Sequence, residues 1–239
     1  MPDEAWDLLE SDDLVGDPTD HPDTWDEERW GQEMHNGKAR ELKSLADYKV
    51  YVPVPREDLE SHGKKFITTR WAEVPKWKQD RWIVRSRFVA REFRWKDPGR
   101  DDLFGVTSSA NTGRILDYLL TKKSLRAYLA DCHCAFFHAP EEEEVYVEPP
   151  DEWKQRFPDQ DLVWLLKKQL YGRRPAPRAF SDFTAGVLTE KIGMRRCVEV
   201  PHLSITLKQR CVLKFTWMTS MLLDQETQRV SSSSGWLNT

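Results

Sequence analysis

The chain has 239 residues, of which 39% are hydrophobic and 32% are charged. This length leaves room for one medium-sized domain, or for a domain with a tail, and the apolar fraction is sufficient for a packed core. The net charge of -4 at pH 7 is too small to indicate a class of partner.

Several classes of protein are disfavoured by the sequence. The four cysteines do not have the spacing of a disulfide scaffold. The acidic N-terminal residues lack the apolar stretch of a signal peptide. No apolar run approaches the roughly twenty residues that a membrane-spanning helix requires. We therefore expect no membrane partner and a reducing, intracellular environment, either cytoplasmic or nuclear.

Charge is distributed unevenly along the chain. Residues 1–35 contain about a dozen acidic residues and a single Arg, a composition typical of segments that remain solvated. We therefore predict a disordered acidic tail over 1–37. Between Lys64 and Arg100 there are roughly three basic residues for each acidic one, which predicts a surface that binds polyanions.

The hydrophobic pattern predicts helices and short strands in a mixed order. Apolar residues at helical spacing predict helices over 38–48, 113–123 and 177–192. Alternating, β-branched and aromatic residues predict strands over 50–54, 66–74, 81–93, 125–131, 144–148 and 162–166. This order is typical of an α+β fold with an antiparallel sheet.

Four segments resemble one family, in the same order along the chain. Residues 82–93 (WIVRSRFVAREF) resemble YKARLVAKGF, and residues 129–140 (LADCHCAFFHAP) resemble QLDVKNAFLNG. Residues 143–150 (EEVYVEPP) resemble EEVYMEQP, and residues 166–180 (LKKQLYGRRPAPRAF) resemble LKKSLYGLKQAPRAW. The second string of each pair belongs to the reverse transcriptases of copia-type (Pseudoviridae) retrotransposons, so residues 38–202 resemble part of such a domain.

The resemblance implies a partial fingers–palm polymerase core with an antiparallel sheet, within a Gag-Pol polyprotein whose other segments are partners. The family is an RNA-directed DNA polymerase (a nucleotidyltransferase), which copies an RNA template from a DNA primer with dNTPs and Mg²⁺. Two divalent ions about 3.5–4 Å apart perform this phosphoryl transfer, and magnesium requires convergent carboxylates.

By this resemblance Asp131 is a catalytic residue and a metal ligand at the end of a palm strand. An ordinary charged strand end is the alternative. The neighbouring Cys132, His133 and Cys134 lack the second ligand pair of a zinc site, so we expect the cysteines to fill space instead.

The resemblance also implies residues that bind nucleotide or template. Arg85, Arg87 and Arg91 alternate, which places them on one face of a strand, and the family holds the dNTP triphosphate and template with basic residues there. A solvated basic face is the alternative. We expect most of the tryptophans among them (Trp71, Trp77, Trp82 and Trp95) to pack in a core, although they could stack on bases.

A second set of binding residues lies beside the nucleotide pocket in the family and corresponds to Tyr171, Gly172 and Arg178. Pro175 replaces the Gln of the family string LKQAP. That Gln would offer hydrogen bonds near the incoming nucleotide, and Pro offers none.

The second half of the family's site, the motif Y-V-D-D in a hairpin turn, is missing, because no Asp-Asp pair follows Asp102. Residues 215–219 read FTWMT where that motif is expected. Trp and Met have single codons and Thr codons begin with AC, so the nucleotides TGGATGAC contain GAT-GAC, which encodes Asp-Asp in a shifted frame. We predict that the frame slips near Leu203 and that residues 203–239 are an irregular tail; coincidence is the alternative.

Three functions follow as hypotheses. The first is a reverse-transcriptase fragment that is inactive because one carboxylate cannot hold two Mg²⁺ ions. The second is a non-catalytic nucleic-acid-binding remnant that uses the basic segment. The third is an acidic interaction protein in which residues 1–36 bind a basic partner.

Overall fold

A computed structural model describes residues 20–60, 65–78, 80–94, 98–101, 103, 105, 110–123, 126–198, 203–206, 211–215 and 220–224. Its mixture of helices and mainly antiparallel sheets confirms the α+β class. The elements in chain order are α1 (Glu27–Asp47), β1 (Tyr51–Pro55), α2 (Arg56–Glu60), β2 (Lys65–Ile67), β3 (Thr69–Lys78), β4 (Arg81–Ala90), α3 (Ala110–Lys123), β5 (Arg126–Ala130), β6 (Val145–Val147), α4 (Asp151–Lys154), β7 (Leu162–Leu166), α5 (Ala176–Glu190), β8 (Arg195–Arg196), β9 (Leu203–Thr206), β10 (Cys211–Phe215) and β11 (Ser220–Asp224).

The chain divides into two compact units. Unit 1 consists of Met1–Asp97 and Glu141–Arg173, and unit 2 consists of Pro98–Pro140 and Arg174–Thr239. The predicted domain over 38–202 contributes residues to both units.

Unit 1 contains a four-stranded sheet in the order β1-β7-β6-β2. Strand β1 includes Pro53 and Pro55, and it lies at the edge of the sheet, where a missing backbone N–H is tolerated. The core beside it is aromatic: Trp164 is 1% exposed and stacks on Tyr51 with ring centroids 3.6 Å apart. Trp153 meets the same indole edge-on at 5.4 Å.

The second sheet of unit 1 is the two-stranded antiparallel ribbon of β3 and β4. The ribbon is paired from Thr69↔Ala90 to Lys78↔Arg81. Asp80, in the connection, has φ 57, and left-handed residues of this kind are typical of tight hairpin turns. A ribbon of two strands is only marginally stable in water, so its stability depends on the elements that pack against it.

Helix α1 packs against β4. Its N-cap is Asp26, whose carboxylate accepts a hydrogen bond from the Arg29 N–H at 2.8 Å. At Gly37 the helix approaches the strand closely, because a Cβ there would lie 2.5 Å from the Val84 carbonyl oxygen. Only glycine permits this contact without a shift of the backbone.

Unit 2 contains a five-stranded antiparallel sheet in the order β5-β11-β10-β9-β8. The hairpin of β10 and β11 is paired at Phe215↔Ser220, and β11 is paired with β5 at Ser220↔Ala130. Strands β5 and β10 therefore run parallel with β11 between them, and α5 lies between β5 and β10 in sequence.

Two boundaries predicted from the sequence are wrong. Helix α1 begins at Glu27 rather than at residue 38, so residues 27–37 are not part of a disordered tail. Strands β9, β10 and β11 occupy much of the segment 203–224 that we predicted to be irregular. Residues 1–19 and 225–239 lie outside the described residues. The frame slip itself stays a prediction.

Candidate nucleic-acid interface

The β3–β4 ribbon has two chemically different faces. In an antiparallel ribbon, directly paired residues share a face, and the faces alternate along each strand. The face that carries Trp71↔Phe88 and Trp77↔Trp82 also carries the buried Val84 and Ser86. The opposite face, which we call the basic face, consists of the pairs Arg70↔Val89, Ala72↔Arg87, Val74↔Arg85, Lys76↔Ile83 and Lys78↔Arg81.

The basic face carries cations and small apolar side chains without a carboxylate. Glu73, the acidic residue of β3, belongs to the other face. Within the described residues none of the basic-face cations forms an ion pair. Lys78 and Arg81 are directly opposite each other, an arrangement that is destabilising for like charges unless an anion is present. This surface therefore has the charge pattern of a polyanion-binding site.

Arg85 and Arg87 lie together on this face, as the alternation predicted. Arg85 is exposed and Arg87 is half-buried. The Arg87 guanidinium lies 4.7 Å from the centroid of the Tyr171 ring, a cation–π contact that contributes about 0.5–2 kcal/mol. In the described part of the chain, Arg87 Nε is buried and has no hydrogen-bond partner.

Tyr171 and Gly172 are held against the end of β4. The Ala90 N–H donates to the Tyr171 carbonyl oxygen at 2.7 Å. Gly172 has φ +80, and a Cβ there would lie 2.2 Å from the Ala90 carbonyl oxygen. Glycine is therefore required for the turn that brings the tyrosine ring under Arg87. Tyr171, Gly172 and Arg87 therefore lie together in unit 1, and their role in nucleotide or template binding stays a prediction.

Two other predicted binding residues lie elsewhere. Arg91 follows the end of β4, so the alternation of the strand does not extend to it, and its guanidinium lies 5.5 Å from the Phe93 ring centroid. Arg178 lies on α5 in unit 2, where its Nε donates to Asp182 at 2.7 Å. That ion pair is the ordinary i, i+4 contact of an exposed helix face.

Helix α1 contributes a residue that the sequence did not single out. Glu41 accepts a hydrogen bond from the Phe88 N–H at 3.3 Å. Burial raises the pKa of this carboxyl group to about 7, although the Phe88 N–H, Arg87 and Arg85 oppose the shift. The carboxyl group of Glu41 therefore lies beside the backbone of β4 at Phe88.

The sequence pattern also did not predict a buried cluster of charged residues. The Arg173 guanidinium, fully buried, lies 2.7 Å from Glu92 and 2.8 Å from Glu141. Glu143 and Lys65 complete the cluster at its more exposed side. Desolvation opposes the charged form of Arg173, but the three carboxylates outweigh it and raise the guanidinium pKa. No local sequence signal connects these residues, because they come from separate segments.

Asp131 directly follows β5 in unit 2 and is exposed. Ala130, the residue before Asp131, is paired with Ser220 at the start of β11. Ser220 is in turn paired with Phe215 at the end of β10. Residues 216–219, which connect those two strands and carry the expected position of the Asp pair, are outside the described residues.

Among the described residues, Asp131 lacks the further acidic ligands that the Mg²⁺ implied by the resemblance requires. Among the residues that the structure describes, no group of three or more His, Cys, Asp or Glu could hold a metal ion. Beside Asp131, burial and the Asp131 charge raise the pKa of the Cys132 thiol to about 11.

The described tryptophans of the basic segment pack against other aromatic residues. Trp71 lies 5.2 Å from Phe88 and donates through Nε1 to Glu152. Trp77 and Trp82 meet edge-on at 5.6 Å. All three are on the face opposite the cations, so they offer no stacking platform on the basic face. Trp95 is among the residues that are not described.

Comparison with known proteins gives no match: no family model, no curated protein and no solved structure is detectably similar to this chain. Of the helices that the structure describes, none combines the length and apolar character needed to cross a membrane.

Proposed function

We propose that this chain is a fingers–palm fragment of a copia-type reverse transcriptase that binds nucleic acid and does not synthesise DNA. The proposal places RNA template and DNA primer on the β3–β4 ribbon of unit 1. Binding of dNTP and Mg²⁺, which the intact family requires, is not retained.

The observation that carries the binding proposal is the separation of charge between the two faces of the ribbon. Strands rise about 3.3 Å per residue, so ten-residue strands form a surface roughly 33 Å long. Nucleic acids carry closely spaced phosphates, and neutralising them with Lys and Arg releases counterions. The described tryptophans of the ribbon lie on the face opposite the cations, so we expect contacts mainly to the phosphate backbone and little sequence preference.

The polymerase ancestry is supported by the strand order β5-β11-β10 in the sheet of unit 2. In the copia-type family the first catalytic Asp ends a palm strand and the Asp pair lies in a neighbouring hairpin turn. The β10–β11 hairpin is next to β5, and Asp131 follows β5, which is the arrangement that such a site requires. One exposed carboxylate cannot hold two divalent ions, so the proposal includes no DNA synthesis.

Binding is tested by fluorescence anisotropy with a labelled RNA–DNA hybrid over a range of salt concentrations. Neutralising two basic-face cations, in the variant Arg85→Gln/Arg87→Gln, should weaken binding about tenfold or more and reduce the slope of log K against log salt by about two. The matched control removes two exposed cations elsewhere, Lys122→Gln/Lys167→Gln. Equal losses in both variants would contradict a localised interface.

The loss of polymerase activity is tested by primer extension with the purified protein, a primed RNA template, dNTPs and Mg²⁺. We expect no extension above that of an Asp131→Asn variant. Extension that depends on Mg²⁺ and on Asp131 would show that the acidic site is complete and would overturn this part of the proposal.

A further inference from the structure

Residues 1–19 join the described part of unit 1 near the tip of the β3–β4 ribbon, where β3 turns into β4. The His21 ring meets the Trp82 ring edge-on, with centroids 4.7 Å apart, and Trp82 belongs to the last pair but one before the turn. The preceding residue, Asp20, accepts a hydrogen bond from the Arg29 guanidinium at 2.7 Å. These contacts fix the point from which residues 1–19 extend.

The sequence of residues 1–19 complements the basic face in charge and in apolar character. Seven of these residues are acidic and none is Lys, Arg or His. The acidic residues are Asp3, Glu4, Asp7, Glu10, Asp12, Asp13 and Asp17. Leu8, Leu9 and Leu14 lie among them in the sequence. The segment therefore combines the charge of a short polyanion with apolar side chains.

The basic face offers partners for both kinds of side chain. Its six cations form no ion pair within the described residues. Between the cations lie small apolar side chains, of which Val74 is 60% exposed. Phosphates attract only the cations, whereas an acidic peptide with apolar residues also covers exposed apolar surface. A peptide of this composition therefore fits the face as a ligand.

The segment is long enough to reach this face. Trp82, beside which the segment begins, lies on the opposite face of the ribbon. Crossing from one face to the other takes about 10 Å, or about three residues at roughly 3.3 Å each. The remaining residues, about sixteen, span up to about 50 Å, which exceeds the roughly 33 Å length of the ribbon.

We propose that the acidic segment 1–19 binds the basic face of the same chain and competes there with nucleic acid. The competition rests on the proposed function, because nucleic acid is the second ligand, whereas the contact itself does not. An attached ligand is presented at an effective concentration in the millimolar range, so a contact with a dissociation constant of about 1 mM occupies much of the face. The apparent affinity for nucleic acid falls by the fraction of the face that remains free.

The contact is tested by cross-linking the full chain with a water-soluble carbodiimide. The reagent activates a carboxyl group, and attack by a lysine amine then forms an amide and releases the reagent as a urea. By mass spectrometry we expect cross-links from residues 1–19 to Lys76 and Lys78, which belong to the basic face. They should be lost at about 1 M salt, where charges are screened beyond roughly 3 Å. Lys49, exposed beyond the C-terminal end of α1, is the internal control.

The competition is tested by fluorescence anisotropy with a labelled RNA–DNA hybrid. Four carboxylates of the segment are neutralised in the full-length variant Asp7→Asn/Glu10→Gln/Asp12→Asn/Asp13→Asn. We expect this variant to bind the hybrid about three- to tenfold more tightly than the wild type at low salt. The difference should disappear as salt rises, because screening weakens the internal contact.

A matched control separates the contact from a general effect of net charge. The variant Glu28→Gln/Asp47→Asn/Glu57→Gln/Asp159→Asn removes the same number of exposed carboxylates from the described part of unit 1. It should bind the hybrid as the wild type does, to within about twofold, because exposed charges more than about 10 Å apart are largely screened.

The outcomes separate the two proposals. Cross-links at Lys49 as abundant as those at Lys76 and Lys78, or cross-links found only in a dimer, would overturn the contact within one chain. An affinity for the hybrid that rises equally in the two variants, or in neither, would overturn the competition. If none of the three proteins binds the hybrid, the proposed function fails and the competition with it, while the cross-links still decide the contact.

Discussion

Arg173 and Glu92 form an ion pair in the interior of unit 1, with Nη1 and Oε2 2.7 Å apart and side chains that are 0% and 4% exposed. Glu141, 1% exposed, binds the same guanidinium through Nε. A buried ion pair adds little stability relative to apolar residues of the same size, whereas removal of one partner leaves an uncompensated charge.

The variant Arg173→Met should therefore lose about 3–5 kcal/mol of stability, because it leaves the carboxylates of Glu92 and Glu141 buried without their cation. The triple variant Arg173→Met/Glu92→Gln/Glu141→Gln should recover much of that loss. Urea unfolding followed by tryptophan fluorescence measures both. A triple variant as unstable as Arg173→Met would show that the charges are not the cause.

Gly172 offers a test of the turn that positions Tyr171. We expect Gly172→Ala to destabilise the protein by more than about 1 kcal/mol. Gly172 has φ +80, and a Cβ there would lie 2.2 Å from the Ala90 carbonyl oxygen. The control is Gly31→Ala on α1, where a Cβ meets nothing within 4 Å and alanine should stabilise the helix by up to about 1 kcal/mol. Thermal unfolding should shift in opposite directions for the two variants.

The pH dependence of stability provides a third test. The folded-state pKa of Glu41 is about 7, above its ordinary value of 4.5, so folding favours the protonated form. The stability that this group contributes is present below pH 4.5 and is lost as the pH rises towards 7 and above. Relative to Glu41→Gln, the wild type should lose about 2 kcal/mol between pH 5 and pH 8. Parallel stability curves for the two proteins would contradict the raised pKa.

The acidic pair that the resemblance implies can be introduced by mutation. The predicted frame shift gives His or Tyr, then Val, Leu or Met, then Asp and Asp at positions 216–219. We therefore expect the variant Thr216→Tyr/Trp217→Val/Met218→Asp/Thr219→Asp to bind Mn²⁺ and the wild type not to bind it. Addition of Asp131→Asn to that variant should abolish the binding, because the three carboxylates act together. Electron paramagnetic resonance of the bound ion measures it. Binding that persists without Asp131 would place the ion elsewhere.

Local pattern predicted most elements of the fold, because strands such as β7 have short, continuous apolar runs with clear ends. It did not predict the start of α1, because residues 27–37 have the polar, acidic composition of a solvated tail. The apolar residues that anchor the helix, Leu42 and Leu45, are buried in its second half. The strands β10 and β11 have apolar runs of the same kind as β7, but the expected frame slip led us to discount them.

The candidate site was also predicted only in part, because a local pattern describes one strand and not its pairing with another. Alternation on one strand identified Arg85 and Arg87, but the basic face as a whole depends on the register with β3, which a single sequence does not specify. Arg173 and Glu92 replace a Leu and a Gly in the copia-type strings. Neither difference alone indicates an ion pair in the sequence. The tertiary structure shows that the charge of each residue compensates the charge of the other.

The like-charged tip of the ribbon, with Lys78 opposite Arg81, has a practical consequence for anyone who purifies this protein. If the basic face binds nucleic acid as we propose, cellular RNA in a lysate would remain bound there at low ionic strength, because its phosphates reduce the repulsion between the two side chains. A preparation washed only in dilute buffer would then show excess absorbance at 260 nm. The affinity measured for an added nucleic acid would be too low, because the added ligand would compete with RNA that is already bound.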